Sequence, residues 1–328
     1  MKLDFYSRVT ILIKLYDNEV NNLKILILGY SNIFKKRILN VLIKKGIKFS
    51  VASKSSSNKV NKAYSWFRSY DLALSHSNAD LVYISLPNSY HFYWAKKALE
   101  KGYHVVVDKP ISENILQAKK LIQIAKNKKK LIAEATFFNY HKQFNQSFQK
   151  LGGIKNLTHV NANFIIPSPQ EKSILMSKKL SGGCFMDMAP YAAAVARLFC
   201  AGKLIKIYKN IKKNNKGLIT SFNFFCIYEK TSYAGSFSFG GEYDNSLSLH
   251  TSKNYIHLNN VFSPPSKKRL KIIIREKNLV KDKIVKKDDI FENFMKKIKI
   301  SIKKKKFDFF YKIILEDSKF KEKILNKS

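Results

Sequence analysis

The sequence has little cysteine and no long apolar run. Its three cysteines, Cys184, Cys200 and Cys226, form no C-x-x-C pair, so they predict neither a disulfide framework nor a zinc site and favour a reducing cytoplasm. No run of about 18 apolar residues occurs, so no membrane-spanning helix is expected. The first 20 residues lack the basic start, apolar run and cleavage site of a signal peptide.

Acidic residues and arginine are also scarce. There are 23 Asp+Glu against 61 Lys+Arg, a formal net charge of +38, which by itself suggests nucleic-acid binding. Only six of the basic residues are arginine, the side chain that reads bases with a bidentate fork. Lys, Asn and Ile, whose codons are rich in A and T, make up 117 of the 328 residues. We attribute the charge to genome composition. Nucleic-acid binding stays the weaker alternative, because helix-turn-helix, zinc-finger and RRM signatures are missing.

What is present is enough apolar material for two folded domains. Hydrophobic residues make up 45% of the chain and aromatic residues 13%. Short apolar runs alternate with helical patterns over the first half, which predicts a parallel sheet with right-handed crossovers. The predicted strands are 24–29, 48–52, 81–86, 103–107 and 130–134, and the predicted helices are 33–45, 90–101 and 114–127.

The second half has a different texture. Strand patterns follow one another and are joined by short polar turns, which predicts a mostly antiparallel sheet, with helices near 189–200 and 289–305. The expected architecture is therefore α/β: a Rossmann dinucleotide-binding domain over 21–136, then an α+β domain with a large open-faced sheet over 137–328. Residues 1–20 form an N-terminal extension.

The first strand-to-helix turn is the candidate cofactor site. Of the dinucleotide fingerprint G-x-G-x-x-G only Gly29 is present, since Ser31 and Phe34 occupy the second and third glycine positions. Serine is small enough to allow a phosphate to approach, whereas Phe34 is expected to push the helix away from the strand or to point outward. An ordinary turn that binds no ligand is the alternative.

The end of the second strand indicates which dinucleotide would bind. An NAD site places an acid there, about 20 residues beyond the glycines, to bind the ribose hydroxyls. This chain has Ser53 and Lys54 instead, a hydroxyl and an ammonium that suit a 2′-phosphate. The sequence therefore favours NADP over NAD, unless Lys54 is simply one of the many surface lysines.

Three further motifs follow in order along the chain. Residues 85–91 are SLPNSYH, residues 98–110 are ALEKGYHVVVDKP, and residues 181–191 are SGGCFMDMAPY. In this order and at these separations they resemble the glucose–fructose oxidoreductase / inositol dehydrogenase (Gfo/Idh/MocA) family, from about residue 24 to about 320. Asp108 stands where the family usually has Glu. Tyr191 stands where many members have His. A tyrosine at this position resembles the sugar-nucleotide ketoreductase and dihydrodiol dehydrogenase branches.

The resemblance implies a catalytic group whose residue types suit the chemistry. Lys109 follows a parallel strand and can polarise a carbonyl oxygen, and Pro110 after it can be cis. Asp187 and Tyr191 lie four residues apart and so on one helix face, with Asp187 expected as the N-cap and Tyr191 as the proton donor. A buried tyrosine and a solvated lysine would be the structural alternatives.

The remaining expected site residues surround this group. Asn88 and His91 are expected near the nicotinamide, although a purely structural His91 is almost as plausible, and His141 is a weaker substrate candidate. No metal is expected, because no His, Asp and Glu have ligand spacing. The full set of expected cofactor residues is Gly29, Ser31, Asn32, Ile33, Ser53, Lys54, Leu86, Pro87, Asn88, His91, Asp108 and Lys109, and the expected substrate residues are His141, Asp187 and Tyr191.

Taken together, the sequence predicts an NADP-dependent oxidoreductase, with NAD as the alternative cofactor, that moves a hydride between nicotinamide and a sugar or keto-sugar, either free or bound to a nucleotide. The resemblance implies a homodimer or higher homo-oligomer and a role in surface-polysaccharide or deoxysugar synthesis. A protein of the same fold that binds nucleotide or sugar without catalysis is the alternative from another class.

Overall fold

The computed structural model describes residues 23–54, 62–277 and 279–326, so the predicted 1–20 extension lies outside the described residues. The chain folds as two compact units. The first contains the residues up to Ala135 and returns for Phe291–Leu315, and the second contains Thr136–Ile290 and the residues from Glu316 onward. The domain boundary predicted from sequence, at 136/137, is one residue from the point where the chain first passes from one unit to the other, between Ala135 and Thr136. Residues 291–315, assigned from sequence to the second domain, belong to the first unit.

The first unit is built on a six-stranded parallel sheet in the order β3-β2-β1-β4-β5-β6. This is the strand order of the Rossmann fold. Strands β1 and β4 are buried along their whole length, which explains why both appear in the sequence as uninterrupted apolar runs. The strands are β1 Ile25–Leu28, β2 Phe49–Ala52, β3 Trp66–Phe67, β4 Leu81–Ile84, β5 His104–Val107 and β6 Ile132–Glu134.

Four helices follow strands of this sheet: α1 Leu39–Lys44, α2 Tyr70–His76, α3 His91–Glu100 and α4 Ile115–Asn127. Two begin at side-chain caps. Ser69 accepts a hydrogen bond from the backbone N–H of Leu72, and Asn114 accepts one from that of Gln117. These caps satisfy donors that have no partner within the helix, so the starts of α2 and α4 are set by the local sequence.

The first helix begins differently from the sequence expectation. Residues Phe34–Ile38 form a π-helical turn ahead of α1, and Phe34 is fully buried rather than pointing outward. A π turn is wider than an α turn. We infer that this widening accommodates the phenyl ring at the position where the glycine fingerprint has its third glycine.

The second unit contains an eight-stranded sheet in the order β14-β13-β12-β11-β7-β10-β9-β8. Its pairs are antiparallel except for β7 and β10, which run parallel at the centre. The predicted mostly antiparallel sheet is thereby confirmed. The strands are β7 Leu157–Ile166, β8 Leu204–Lys213, β9 Ile219–Tyr228, β10 Ser232–Phe239, β11 Asp244–Thr251, β12 Asn254–Asn259, β13 Leu270–Glu276 and β14 Leu279–Val285.

The longest helix that lies wholly in the second unit packs on one face of this sheet. The unit's helices are α5 Lys142–Leu151 and α6 Cys184–Phe199, and they are followed by α7 Ile290–Lys303 and α8 Asp308–Leu325. Phe185 of α6 packs edge-on against Phe222, and the Tyr233 hydroxyl donates to the Ala192 carbonyl. Among the described helices, none combines the length and apolar character needed to cross a membrane.

Candidate active site

The predicted cofactor residues of the first unit lie where its parallel strands end. Gly29 follows β1, Ser53 follows β2, Leu86 and Pro87 come after β4, and Asp108 follows β5. Because β1, β2, β4 and β5 are parallel neighbours, their carboxyl ends share one edge of the sheet. This edge is where open α/β sheets bind ligands.

Gly29 brings two of these loops into contact. Its φ is +99°, and a Cβ atom there would lie 2.1 Å from the carbonyl oxygen of Ser85. Only glycine allows that approach. Next to it, the hydroxyl oxygens of Ser31 and Ser85 are 2.6 Å apart, and Ser31 Oγ accepts a hydrogen bond of 3.0 Å from the Phe34 amide. The turn after β1 is therefore joined to the loop after β4 by its backbone and by a hydroxyl pair.

Asp108 extends this hydrogen-bonded group to β5. Its Oδ2 accepts from Ser85 Oγ at 2.7 Å, and its Oδ1 accepts a short hydrogen bond from the Tyr83 hydroxyl. Burial raises the pKa of Asp108, while the two hydroxyl donors and the neighbouring His91 and Lys109 act to lower it. Burial and Asp108 together raise the pKa of Tyr83 well above its usual range, so this hydroxyl stays a donor.

The segment around Lys109 is held by polar groups on both sides. The Lys109–Pro110 peptide bond is cis, as the sequence suggested. The Pro110 carbonyl lies 2.7 Å from Nδ1 of His91, and the next amide, Ile111 N–H, donates to Glu134 Oε2 at 2.7 Å. The backbone that carries Lys109 is therefore fixed by side chains from α3 and β6.

His91 does not have the position expected of a cofactor ligand. It is fully buried at the start of α3, and its other ring nitrogen, Nε2, lies 2.7 Å from the Leu86 carbonyl. Both ring nitrogens face backbone carbonyls, so neither is available for a nicotinamide. Asp108 likewise uses both carboxylate oxygens within the protein. The sequence hypothesis that they contact the cofactor directly does not fit these contacts.

The end of β2 carries Lys54, the predicted partner of a 2′-phosphate. Ser53 is 2% exposed, and its amide bonds the Phe67 carbonyl at 3.0 Å, so its hydroxyl is not a surface group. Lys54 is exposed, with Nζ 5.4 Å from the centre of the Tyr70 ring. Of the predicted pair, Lys54 is therefore the residue that can meet an anionic ligand. Asn32 and Ile33 begin the first helix, where amides lack partners within the helix and can face a phosphate.

The second unit presents Asp187 and Tyr191 on one face of α6. Both are half-buried, while Met188, Ala189 and Pro190 between them are buried. The expectation that Asp187 caps the helix was wrong, because the cap is Gly183, with φ +98°, and Asp187 lies in the first turn. There its charge is favourable to the helix dipole.

Phenylalanines surround the Tyr191 ring. The rings of Phe138, Phe164 and Phe262 lie 5.7, 5.5 and 5.2 Å from it, centre to centre. Phe262 is fixed in turn by Asn245, whose Oδ1 accepts from the Phe262 amide at 2.8 Å. These aromatic contacts limit the orientations open to the Tyr191 ring.

His141 is placed as a helix cap. Its Nδ1 accepts from the Gln143 amide at 3.2 Å at the start of α5, and the residue is 1% exposed. Burial lowers the pKa of His141, which keeps Nδ1 available as an acceptor. Its other ring nitrogen, Nε2, is buried with no hydrogen-bond partner among the described residues, so the cap accounts for only half of the ring, and the contact of His141 with substrate stays a prediction.

The sequence did not predict that Tyr83, Ser85 and Glu134 support this site. Their hydrogen bonds join strands that are neighbours only in the fold. One signal was available for Tyr83, because a tyrosine inside a fully buried strand needs a partner for its hydroxyl. Within the described ranges, no three His, Cys, Asp or Glu side chains are grouped so as to hold a metal ion.

Comparison with known proteins identifies the first unit. Residues 23–136 match the model of an oxidoreductase family with an NAD-binding Rossmann fold. These residues match the Gfo/Idh/MocA family. The match covers the Gfo/Idh/MocA Rossmann unit from just before β1 to just after β6, which includes Gly29, Lys54 and Lys109. The resemblance inferred from the sequence motifs is confirmed.

The chain is similar to two curated enzymes over more than this unit. Both are called dTDP-3,4-didehydro-2,6-dideoxy-alpha-D-glucose 3-reductase. The one from Actinomadura kijaniata is 27% identical over 60% of this chain and 60% of its own length. The one from Saccharopolyspora spinosa is 27% identical over 64% of this chain and 65% of its own length. The matched part of the chain thus spans less than two thirds of each relative.

A solved structure extends the similarity to both units. KijD10, a 3-ketoreductase from Actinomadura kijaniata in complex with NADP and TDP-benzene, matches with a TM-score of 0.83. The match covers 92% of this chain and 96% of KijD10, at 20% identity. At that identity the comparison establishes the fold of the chain, a Gfo/Idh/MocA Rossmann unit followed by a mostly antiparallel α+β unit.

Proposed function

We propose that this protein reduces a keto group on a nucleotide-bound sugar with NADPH. The observation that carries the proposal is Lys109, held at the carboxyl end of β5 in a Gfo/Idh/MocA Rossmann unit. The substrate class is supported by the similarity to the dTDP-sugar 3-reductases. NADP as the cofactor is supported by Lys54 and by the complex of KijD10 with NADP.

The residues of this chain have separate tasks in that reaction. NADPH supplies the hydride when it is bound. The Lys109 ammonium donates a hydrogen bond to the ketone oxygen and stabilises the negative charge that develops there. Tyr191 transfers its hydroxyl proton to the same oxygen, and Asp187, one helical turn before it, orients Tyr191 or a sugar hydroxyl. The proposal therefore requires both Lys109 and Tyr191 for turnover.

The catalytic assignment is tested with Lys109→Ala and Tyr191→Phe. Each variant should lower kcat for a dTDP-keto-sugar by about 100-fold or more, because each removes one stabiliser of the developing alkoxide. NADPH affinity, measured by nicotinamide fluorescence, should change little.

Lys101→Ala and Tyr93→Phe are matched controls, since both side chains are on exposed parts of α3 and its end. Wild-type turnover in both active-site variants would refute the assignment. Failure of the wild-type protein to bind NADPH would instead favour a protein of this fold without catalysis.

The second unit supports a homodimer as part of the same proposal. On the five central strands β12, β11, β7, β10 and β9, eighteen side chains alternate with the buried ones and share the outer face. None of these eighteen described residues is charged, in a chain with 61 Lys+Arg; the one charged side chain on the same face of these five strands is Asp244, opposite Ile165 at the border of the group. They are Ser221, Asn223, Phe225, Ile227, Ser232, Ala234, Ser236, Ser238, His159, Asn161, Asn163, Ile165, Ser246, Ser248, His250, Tyr255, His257 and Asn259.

A second copy of this chain is the partner that this face suits. Two chains of net charge +38 repel each other, so they can associate only where lysine is kept out of the contact. A nucleic acid would instead bind a surface rich in Lys and Arg, because its phosphates attract positive charge. The uncharged face therefore favours self-association over nucleic-acid binding at this sheet. A cytoplasmic location stays a prediction from the cysteine pattern.

A further inference from the structure

The environment of His91 fixes its protonation state by geometry. Nδ1 lies 2.7 Å from the Pro110 carbonyl oxygen and Nε2 lies 2.7 Å from the Leu86 carbonyl oxygen. A carbonyl oxygen only accepts hydrogen bonds, and a neutral imidazole has only one N–H. With a neutral ring, one of the two contacts would bring two lone pairs together in a buried place. Both distances are satisfied only when both nitrogens carry a proton.

We propose that His91 is a buried imidazolium that ties the loop after β4 to the loop after β5 and thereby positions Lys109. The positioning part rests on the proposed function, since it takes Lys109 as the catalytic group. His91 itself touches neither the substrate nor the cofactor. It acts through the Pro110 carbonyl, which belongs to the residue directly after Lys109.

A buried cation needs an anion close by, and Asp108 provides it. Burial raises the pKa of Asp108, and its hydrogen bonds from Tyr83 and Ser85 and the charges of His91 and Lys109 act to lower it, so the charged groups around this carboxylate are His91 and Lys109. Asp108 accepts two O–H donors, from Tyr83 and Ser85, which is the pattern of an ionised carboxylate. His91 and Asp108 thus offset each other's charge on either side of Lys109.

The hydroxyl pair beside Asp108 supports the ionised form. Ser85 gives its proton to Asp108, so its oxygen is left to accept from Ser31 at 2.6 Å. The Ser31 oxygen accepts in turn from the Phe34 amide. Every proton in this row then points toward the carboxylate, which is consistent with a full negative charge at its end. The row also connects the cofactor turn after β1 to the segment of Lys109.

Glu134 completes the support from the other side. Its carboxylate accepts the Ile111 amide at 2.7 Å, one residue beyond the carbonyl that His91 holds. The backbone after Lys109 is thus held at the Pro110 carbonyl by the His91 cation and at the Ile111 amide by the Glu134 carboxylate. Charged partners make these hydrogen bonds stronger than neutral ones. A shift of about 1 Å in the position of Lys109 would be enough to impair catalysis, so holding this backbone segment in place preserves activity.

The protonation state is tested by NMR on protein labelled with ¹⁵N in its seven histidines. At pH 8, one histidine should show two protonated ring nitrogens, and this signal should be missing from the spectrum of His91→Gln. His76, which is exposed on α2, serves as the internal control: the signal with two protonated nitrogens should persist in the spectrum of His76→Gln. A single neutral tautomer for every histidine at pH 8 would overturn the proposal. This measurement needs no substrate, so it is informative even if the proposed activity is absent.

The positioning effect is tested by kinetics on folded His91→Gln. The glutamine side chain has one NH₂ group and one carbonyl oxygen in place of the two ring nitrogens, so it cannot present a donor at both positions, and kcat should fall on the order of 10- to 100-fold while NADPH affinity stays within about twofold. His76→Gln should behave as wild type. Unchanged kcat in His91→Gln would refute the positioning role. If His91→Gln does not fold, His91→Asn and the spectrum of the wild-type protein still decide the question.

Discussion

Lys54 is the residue on which the choice of cofactor depends. It is exposed at the end of β2, and its buried neighbour Ser53 offers no surface hydroxyl. Lys54→Glu replaces an ammonium that attracts a 2′-phosphate by a carboxylate that repels it and can bind a ribose hydroxyl instead. We expect the NADPH Kd to rise by about tenfold or more and the NADH Kd to fall.

The measurement is fluorescence titration with both cofactors. Lys96→Glu, the same charge reversal on α3, is the matched control, and it should leave both affinities unchanged. Equal affinity of the wild-type protein for NADPH and NADH, or a preference for NADH, would contradict the assignment of Lys54.

His104 makes the first unit sensitive to acid. Its Nδ1 accepts from the Leu131 amide at 2.9 Å, and burial together with Lys130 lowers its pKa to about 4. The neutral ring is therefore favoured in the folded state. Between pH 6.5 and 4 the unfolded chain binds a proton that the folded chain does not, so this contribution to stability is complete above pH 6.5 and is lost as the pH falls toward 4.

Between pH 6.5 and 4, His104 should lower the free energy of unfolding by an amount on the order of 1–3 kcal/mol, with allowance for the partial exposure of the ring. Urea unfolding at a series of pH values measures it. In His104→Gln the fall in the free energy of unfolding between pH 6.5 and 4 should be smaller than in wild type, whereas His76→Gln should keep the wild-type slope. An unchanged slope in His104→Gln would show that the ring titrates equally in the folded and unfolded states.

At the scale of elements, a buried ion pair joins α6 to the second half of α8. Arg197 Nε and Nη2 donate to the two carboxylate oxygens of Asp317 at 2.7 and 3.2 Å, and only 12% and 3% of these side chains are exposed. Removing one partner leaves a buried charge without its counter-charge. Asp317→Asn should therefore lower the free energy of unfolding by about 3 kcal/mol.

The comparison pair is Lys271 and Asp282, which links β13 to β14 with both side chains about half exposed. Asp282→Asn should cost less than about 1 kcal/mol, because solvent screens this pair. Urea unfolding of both variants provides the test. If both variants lower the free energy of unfolding by the same amount, the Arg197–Asp317 pair contributes no more to stability than a surface ion pair does.

The elements that the sequence predicted well are those whose pattern is local. Buried parallel strands such as β1 and β4 are apolar throughout. Missed elements lack such a pattern. Strand β3 has two residues, and β14 is an edge strand exposed on both faces over most of its length. The π turn at Phe34 was missed because it results from fitting a ring into a core that the local sequence does not describe.

At the scale of the whole molecule, the uncharged face of the second unit predicts the state of association. Asn163 and Ser236 are direct neighbours near the centre of that face. Asn163→Lys would place a lysine, and its copy in the partner, into a contact that excludes charge. We expect wild-type protein to sediment as two 38.0 kDa chains and Asn163→Lys to sediment as one.

Asn127→Lys, the same substitution on the exposed end of α4, should remain dimeric. The experiment is analytical ultracentrifugation at physiological ionic strength. A monomeric wild-type protein, or an Asn163→Lys variant that still forms a dimer, would exclude this face as the interface.

The sequence by itself determined the order of the motifs, the parallel sheet and the positions of Lys54, Lys109 and Tyr191 on their elements. These follow from residue spacing along the chain, which periodicity and turn chemistry encode directly. Only the tertiary structure decided what surrounds them. It placed Tyr83 and Ser85 against Asp108, gave His91 two carbonyl partners, and closed three phenylalanines around Tyr191. Most of these partners are many residues apart in sequence, so packing alone brings them within hydrogen-bonding distance.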